Sequence, residues 1–210
     1  MIPKKITDKL NEGRTYRNVQ SIEARADDDN KKIVTGYATI FNTPYELLSM
    51  DGYTVLEQID ARAFDDCDMS DVIMQYNHEG RVFARTSNNT LMVTPDAVGL
   101  ATRADLGGTE LGSQVYDEIK GGYTDKMSFG FRVAEDTREI TEDHETGEVT
   151  VLRTITKISK LYDVSAVSIP ANDATSISAR SYGEGVIAEL IGEHEKREKQ
   201  KQKIRILTGV

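Results

Sequence analysis

The amino-acid sequence predicts a strand-rich α+β domain, and three observations carry that prediction. The stretch "TDKMSFGFRV" (124–133) alternates Met127, Phe129, Phe131 and Val133 with Ser128, Gly130 and Arg132, the period-two signature of a strand. Further short apolar runs, separated by Gly, Pro, Asn and Asp, repeat the strand signal between residues 31 and 172. Within that region a single segment, "TELGSQVYDEIKGG" (109–122), carries clear helical spacing.

Taken in chain order, residues 1–20 are polar and expected to be loosely ordered, with the strand-rich region starting near Ile22. "KKIVTGYATIFNTPY" (31–45) reads as a strand broken at Asn42–Pro44, and "TVLEQIDARAF" (54–64) as a strand followed by a short turn or helix. "DVIMQYNH" (71–78) reads as an apolar strand ending in polar residues. "NTLMVTPDAVGLATRADL" (89–106) reads as two strands around a Pro-Asp…Gly turn. In the helix, Leu111, Val115 and Ile119 fall at i, i+4, i+8, Thr109 is the N-cap and Gly121 the terminator. After the "MSFGF" strand comes a hairpin with its tip at "HETGE", then a last strand, "KLYDVSAVSI", closed by Pro170. Residues 186–207 are helix-prone but charged, without a sustained apolar stripe, so a solvated tail is favoured over a docking helix.

Composition narrows the chemistry. The 210 residues carry a net charge of −9, which disfavours nucleic acid as a primary partner. The lone Cys67 excludes an internal disulfide, and its neighbours Asp65, Asp66 and Asp68 should raise its thiol pKa. No apolar run approaches the ~20 residues of a membrane span. The first residues lack the apolar core of a signal peptide, so a cytosolic protein is expected. His spacing fits no metal site, and neither a phosphate-cradling Gly-rich loop nor a Gly-x-Ser-x-Gly elbow is present, so no metal or cofactor is expected.

Serine–histidine chemistry remains. A serine hydroxyl needs a base within hydrogen-bond reach, and the base needs a third group to set its tautomer. His144, at the hairpin tip, and His194, in the charged tail, read as surface residues. His78 follows an apolar strand, where rigid scaffolds present functional groups. Ser128 is the best-placed hydroxyl, beside a glycine that clears space, although on its own stretch the plainer reading is an exposed polar face. Asp163 interrupts an apolar strand, where an acid without a partner is costly. Ser165 and Ser168 read as ordinary strand polarity. The order His, Ser, Asp differs from the trypsin, subtilisin and lipase triads.

The segments "GYATIFNTPY", "IDARAF", "QYNHEG", "LATRADL", "VYDEIKGGYTDKMSFGF" and "KLYDVSAVSIPANDAT" together resemble the prohead (capsid maturation) proteases of tailed bacteriophages, a group related to the herpesvirus assembly proteases. The resemblance implies a herpesvirus-protease-like fold: a mostly antiparallel, barrel-like sheet with a few flanking helices. It implies residues 21–180 as the protease domain, between the polar segment 1–20 and the charged, helix-prone tail 181–210 that the composition marks. It also implies His78 as general base, Ser128 as nucleophile and Asp163 as the orienting acid, where many relatives have glutamate and the herpesvirus enzymes a second histidine. Backbone N–H groups of the loop after the last strand, with Ala171 and Asn172 as candidates, would form the oxyanion hole. The implied activity is that of a serine endopeptidase inside the immature procapsid, in the host cytoplasm. It would cleave scaffold, or the scaffold-like arm of the major capsid protein, and itself, with "ISARS" (177–181) and the tail as self-cleavage regions. The herpesvirus enzymes also raise a homodimer. The rival classes are a non-enzymatic scaffold or assembly chaperone that kept the fold, and a cytosolic hydrolase unrelated to assembly.

Overall fold

Residues 15–26, 31–167 and 173–208 are described by the computed structural model. They form β1 (Thr15–Ala26), β2 (Lys32–Ile40), β3 (Tyr45–Met50), β4 (Tyr53–Ile59), β5 (Ile73–Tyr76), β6 (Glu79–Arg85), β7 (Leu91–Pro95), β8 (Gly99–Asp105), α1 (Glu110–Lys120), β9 (Lys126–Glu142), β10 (Val149–Val167) and α2 (Asp173–Thr208). The α+β class is as expected. The strands run in the order β3-β4-β10-β9-β1-β2-β8-β7, with β5 and β6 branching from β10. The path divides into two sheets at β1, whose first half pairs with β9 and second half with β2. Most pairings are antiparallel; β10 with β4 and β10 with β5 are parallel. No pairing joins β3 to β7 among the described residues, so neither sheet closes into the barrel-like form expected.

β10 organises the molecule. Its first half lies beside β4, its last part beside β5, and it pairs along its length with β9. The core gathers where these strands meet β2 and β8: Val34, Leu100, Leu106, Met127, Phe129 and Leu161 are all at 0 % exposure. α1 closes over this core. Thr109 caps it by accepting from the Gly112 N–H at 3.0 Å, and Val115, Tyr116 and Ile119 are buried. Leu111, expected on the same stripe, is exposed, and Gly112 takes the inner position instead. A Cβ there would lie 2.4 Å from the Leu106 carbonyl oxygen, so only glycine lets the helix approach so closely. The helix ends at Gly121, but the left-handed residue is Gly122, with φ 74°.

Among the described residues, the first strand and the last helix make contacts that the sequence does not suggest. β1 starts at Thr15, ahead of the expected Ile22. It brings Arg17 into a buried charge cluster. The Arg17 guanidinium donates to both oxygens of Glu57, Arg153 donates to Glu57 at 2.8 Å and to Asp136 at 2.8 Å, and the Tyr45 hydroxyl donates to Glu57 at 2.7 Å. Glu57 is fully buried. Burial pushes its carboxyl pKa up, but the two guanidiniums and the tyrosine hydroxyl outweigh that and hold it below the ordinary value. At the other terminus α2 docks through Val186 and Ile187, which are buried against Val55 and Val151. Tyr182 of the same helix lies over the Arg153 guanidinium, 4.0 Å from it. From Glu193 to Lys203 the helix is charged and largely exposed.

Candidate active site

"QYNHEG" forms a tight hairpin. Tyr76 of β5 pairs with Glu79 of β6, leaving Asn77 and His78 as a two-residue turn. Both have positive φ, 51° and 61°, as a type I′ hairpin turn requires. Asparagine suits that geometry; histidine takes it at a cost of about 1–3 kcal/mol that the surrounding contacts must offset. The Asn77 N–H donates to the Ala166 carbonyl at 3.0 Å, which fastens the turn to β10. Asn-His stands here where Asn-Gly is usual, so the sequence carries no hairpin signal at this turn and none for β6.

The β9–β10 register supplies the rest. Ser128 lies directly opposite Ser165, and Gly130 directly opposite Asp163. The register slips between Leu161 and Asp163, so that Leu161 faces Phe131 while Asp163 faces Gly130. Side chains alternate across a strand, so without the bulge Leu161 and Asp163 would share one face. With it, Leu161 stays on the face of Met127, Phe129 and Phe131, and Asp163 turns to the face of Ser128. The exposed polar face that the alternation suggests is absent: Met127 through Phe131 are buried on both sides.

On that face the structure brings together the three residues singled out in the sequence. His78 Nε2 is 2.5 Å from Ser128 Oγ, and His78 Nδ1 is 2.5 Å from Asp163 Oδ1. Both the imidazole and the carboxylate side chain are about 95 % shielded from solvent, at 5 % and 4 % exposure. An ionised carboxylate only accepts, so Nδ1 carries the proton toward Asp163. Nε2 is then left to accept from the Ser128 hydroxyl. That is the tautomer in which an imidazole can act as a base on a hydroxyl.

A fourth side chain belongs to the cluster. Ser165, at 0 % exposure, donates its hydroxyl to Asp163 Oδ1 at 2.9 Å. Its place in the sequence, two residues after an acid in a strand, gave no reason to separate it from ordinary strand polarity. His144 and His194 lie exposed on the surface. Cys67 is half-buried, and burial first, with Asp68 adding to it, pushes its thiol up to about 11. The direction is the one its acidic neighbours suggest, but desolvation dominates. Ala171 and Asn172, the oxyanion-hole candidates, lie outside the described residues, as does Ser168. Among the described residues no group of three or more His, Cys, Asp or Glu side chains could hold a metal ion, and no helix is long and apolar enough to cross a membrane.

No curated protein and no solved structure matches the chain. The family model for the caudovirus prohead serine protease matches residues 20–186, from within β1 to the docked part of α2. This span holds His78, Ser128 and Asp163 with the β5–β10 and β9–β10 pairings that bring them together, and it places the chain in the caudovirus prohead serine protease family.

Proposed function

We propose that this chain is a serine endopeptidase of capsid maturation, with Ser128 as nucleophile, His78 as general base and Asp163 as the acid that orients it. The observation that carries this reading is the imidazole of His78 held between Ser128 Oγ and Asp163 Oδ1 at 2.5 Å each. Ser128 Oγ attacks the scissile carbonyl carbon as its proton passes to Nε2. The same proton then goes to the leaving amine, whose departure leaves an acyl-enzyme. Water enters by the reverse sequence, with His78 again as base, and releases the acid product. Asp163 keeps Nδ1 protonated throughout and stabilises the imidazolium. The tetrahedral oxyanion calls for backbone donors, a role for which Ala171 and Asn172, four and five residues beyond the end of β10, are the candidates. Ser128 is at 0 % exposure, so a substrate carbonyl reaches it only when what covers it moves aside.

Family membership supports the biological substrate: scaffold or the scaffold-like arm of the major capsid protein, cut inside the immature procapsid in the host cytoplasm, together with the protease itself. A homodimer is part of this reading. "ISARS" lies within α2, so self-cleavage there requires local unwinding of the helix. The test is co-expression of the wild type and of Ser128→Ala with the cognate capsid protein. The wild type shortens itself and its partner, the variant does neither, and a serine-directed reagent labels Ser128. Labelling of another serine, or clipping by the variant, overturns the assignment.

A further inference from the structure

Asp163 carries a single carboxylate oxygen that serves two donors. Oδ1 accepts from His78 Nδ1 at 2.5 Å and from Ser165 Oγ at 2.9 Å. Ser165 stands two residues further along the same strand face and directly across from Ser128. All three oxygen-bearing side chains are buried, at 0 % for both serines and 3 % for Asp163.

We infer that Ser165 is a positioning residue: its hydroxyl fixes the rotation of the Asp163 carboxylate so that Oδ1 stays aimed at His78. The torsion that turns an aspartate carboxylate is broad and weakly held by the side chain itself. Bound by the imidazole alone, the carboxylate could swing as the imidazole gains and loses a proton. A second donor on the same oxygen, anchored in the β9–β10 ladder, removes that freedom. It also gives the buried negative charge a second hydrogen bond, which low-dielectric surroundings make valuable. The hydroxyl is small enough to face Ser128 across the ladder without displacing the imidazole. This role rests on the protease reading above, because without acyl transfer at Ser128 there is nothing to position.

The test is steady-state cleavage of a peptide substrate by the wild type, Ser165→Ala, Ser165→Cys, Asp163→Asn and the double variant Ser165→Ala/Asp163→Asn, each checked for folding by thermal melting. Ser165→Ala should lower kcat about 10- to 100-fold, as expected for losing a hydrogen bond to a charged group, with KM within about twofold. Ser165→Cys keeps the shape with a weaker donor and should fall between the two; it carries the test if the alanine variant does not fold. In the Asp163→Asn background the same serine replacement should cost less than about threefold, because it acts through the carboxylate. Undiminished kcat in Ser165→Ala, or an equal loss in both backgrounds, overturns the positioning role while leaving the protease reading intact. Full activity in Ser128→Ala sinks the protease reading instead, and the positioning role with it.

Discussion

In the first half of β10, Arg153 is held between Glu57 and Asp136; in the second half, Asp163 holds an imidazole that also touches a hydroxyl. Both places are buried and polar, and both depend on cross-strand register. In the first, every charge faces a fixed opposite charge, Glu57 receives donors from Arg17, Arg153 and Tyr45, and no proton has anywhere to go. In the second, one proton lies on the path between a hydroxyl and a ring nitrogen, and the acid stands behind the ring. The difference is between permanent charge that ties β1, β4, β9, β10 and, through Tyr182, α2 together, and transferable charge that can do chemistry. A guanidinium cannot give up its proton in this range, whereas an imidazole can.

Replacing residues in the second cluster should therefore destroy activity and spare the fold, and the reverse should hold in the first. The largest effect is expected from Ser128→Ala: peptide cleavage falls by about 10⁶-fold, while the melting temperature stays near that of the wild type. A variant that still cuts, or one that unfolds, removes the distinction. Asp163→Asn should cost about 10⁴-fold in kcat, because an amide can present its NH₂ to Nδ1 and favour the wrong tautomer. Denaturant unfolding should find Glu57→Ala destabilised by about 3–5 kcal/mol, since Arg17 and Arg153 lose their buried counter-charge. A change below about 1 kcal/mol would mean the network contributes little to holding the strands.

Acid sharpens the same contrast. The pKa of Glu57 is held below its ordinary value in the folded chain, so its ionised form contributes stability that is present above the ordinary glutamate range, about 4.3. That contribution is lost as the pH falls through the lowered folded value. Urea midpoints measured from pH 6 downward should decline in the wild type and decline less in an apolar replacement of Arg17, Glu57 and Arg153 together. Equal slopes would assign the acid loss elsewhere. The smallest effect is expected from Tyr182→Ala, about 1–2 kcal/mol by thermal melting, for a ring stacked 4.0 Å from Arg153 and packed beside Val186 and Ile187.

The two clusters were not equally legible. His78 stands out in the sequence because it ends an apolar run and Asp163 because it interrupts one, whereas Ser128 sits on a regular alternation and is marked only by the glycine beside it; the α1 boundaries and the β7–β8 and β9–β10 turns can be read from local chemistry. Glu57 and Arg153 carry the same kind of signal. Val55-x-Glu57-x-Ile59 and Val151-x-Arg153-x-Ile155 each place a charge on the buried face, and the two runs pair residue for residue in parallel. That signal is visible only once the strands are known to be neighbours. Arg17 offered no signal at all in a polar N-terminal stretch, and Ser165 looked like any strand serine.

The amino-acid order alone determined the strand periodicity, the capped helix and the residue types: a hydroxyl, an imidazole that can take its proton and a carboxylate that can orient the ring. Only the tertiary structure decided that Asp163 turns toward Ser128, that Ser165 shares its oxygen and that the sheets stay open among the described residues. His78 is 50 positions from Ser128 and 85 from Asp163. Contacts at such separations follow from strand pairing, and a single bulged residue moves a side chain to the opposite face. Local pattern has no means of encoding that slip.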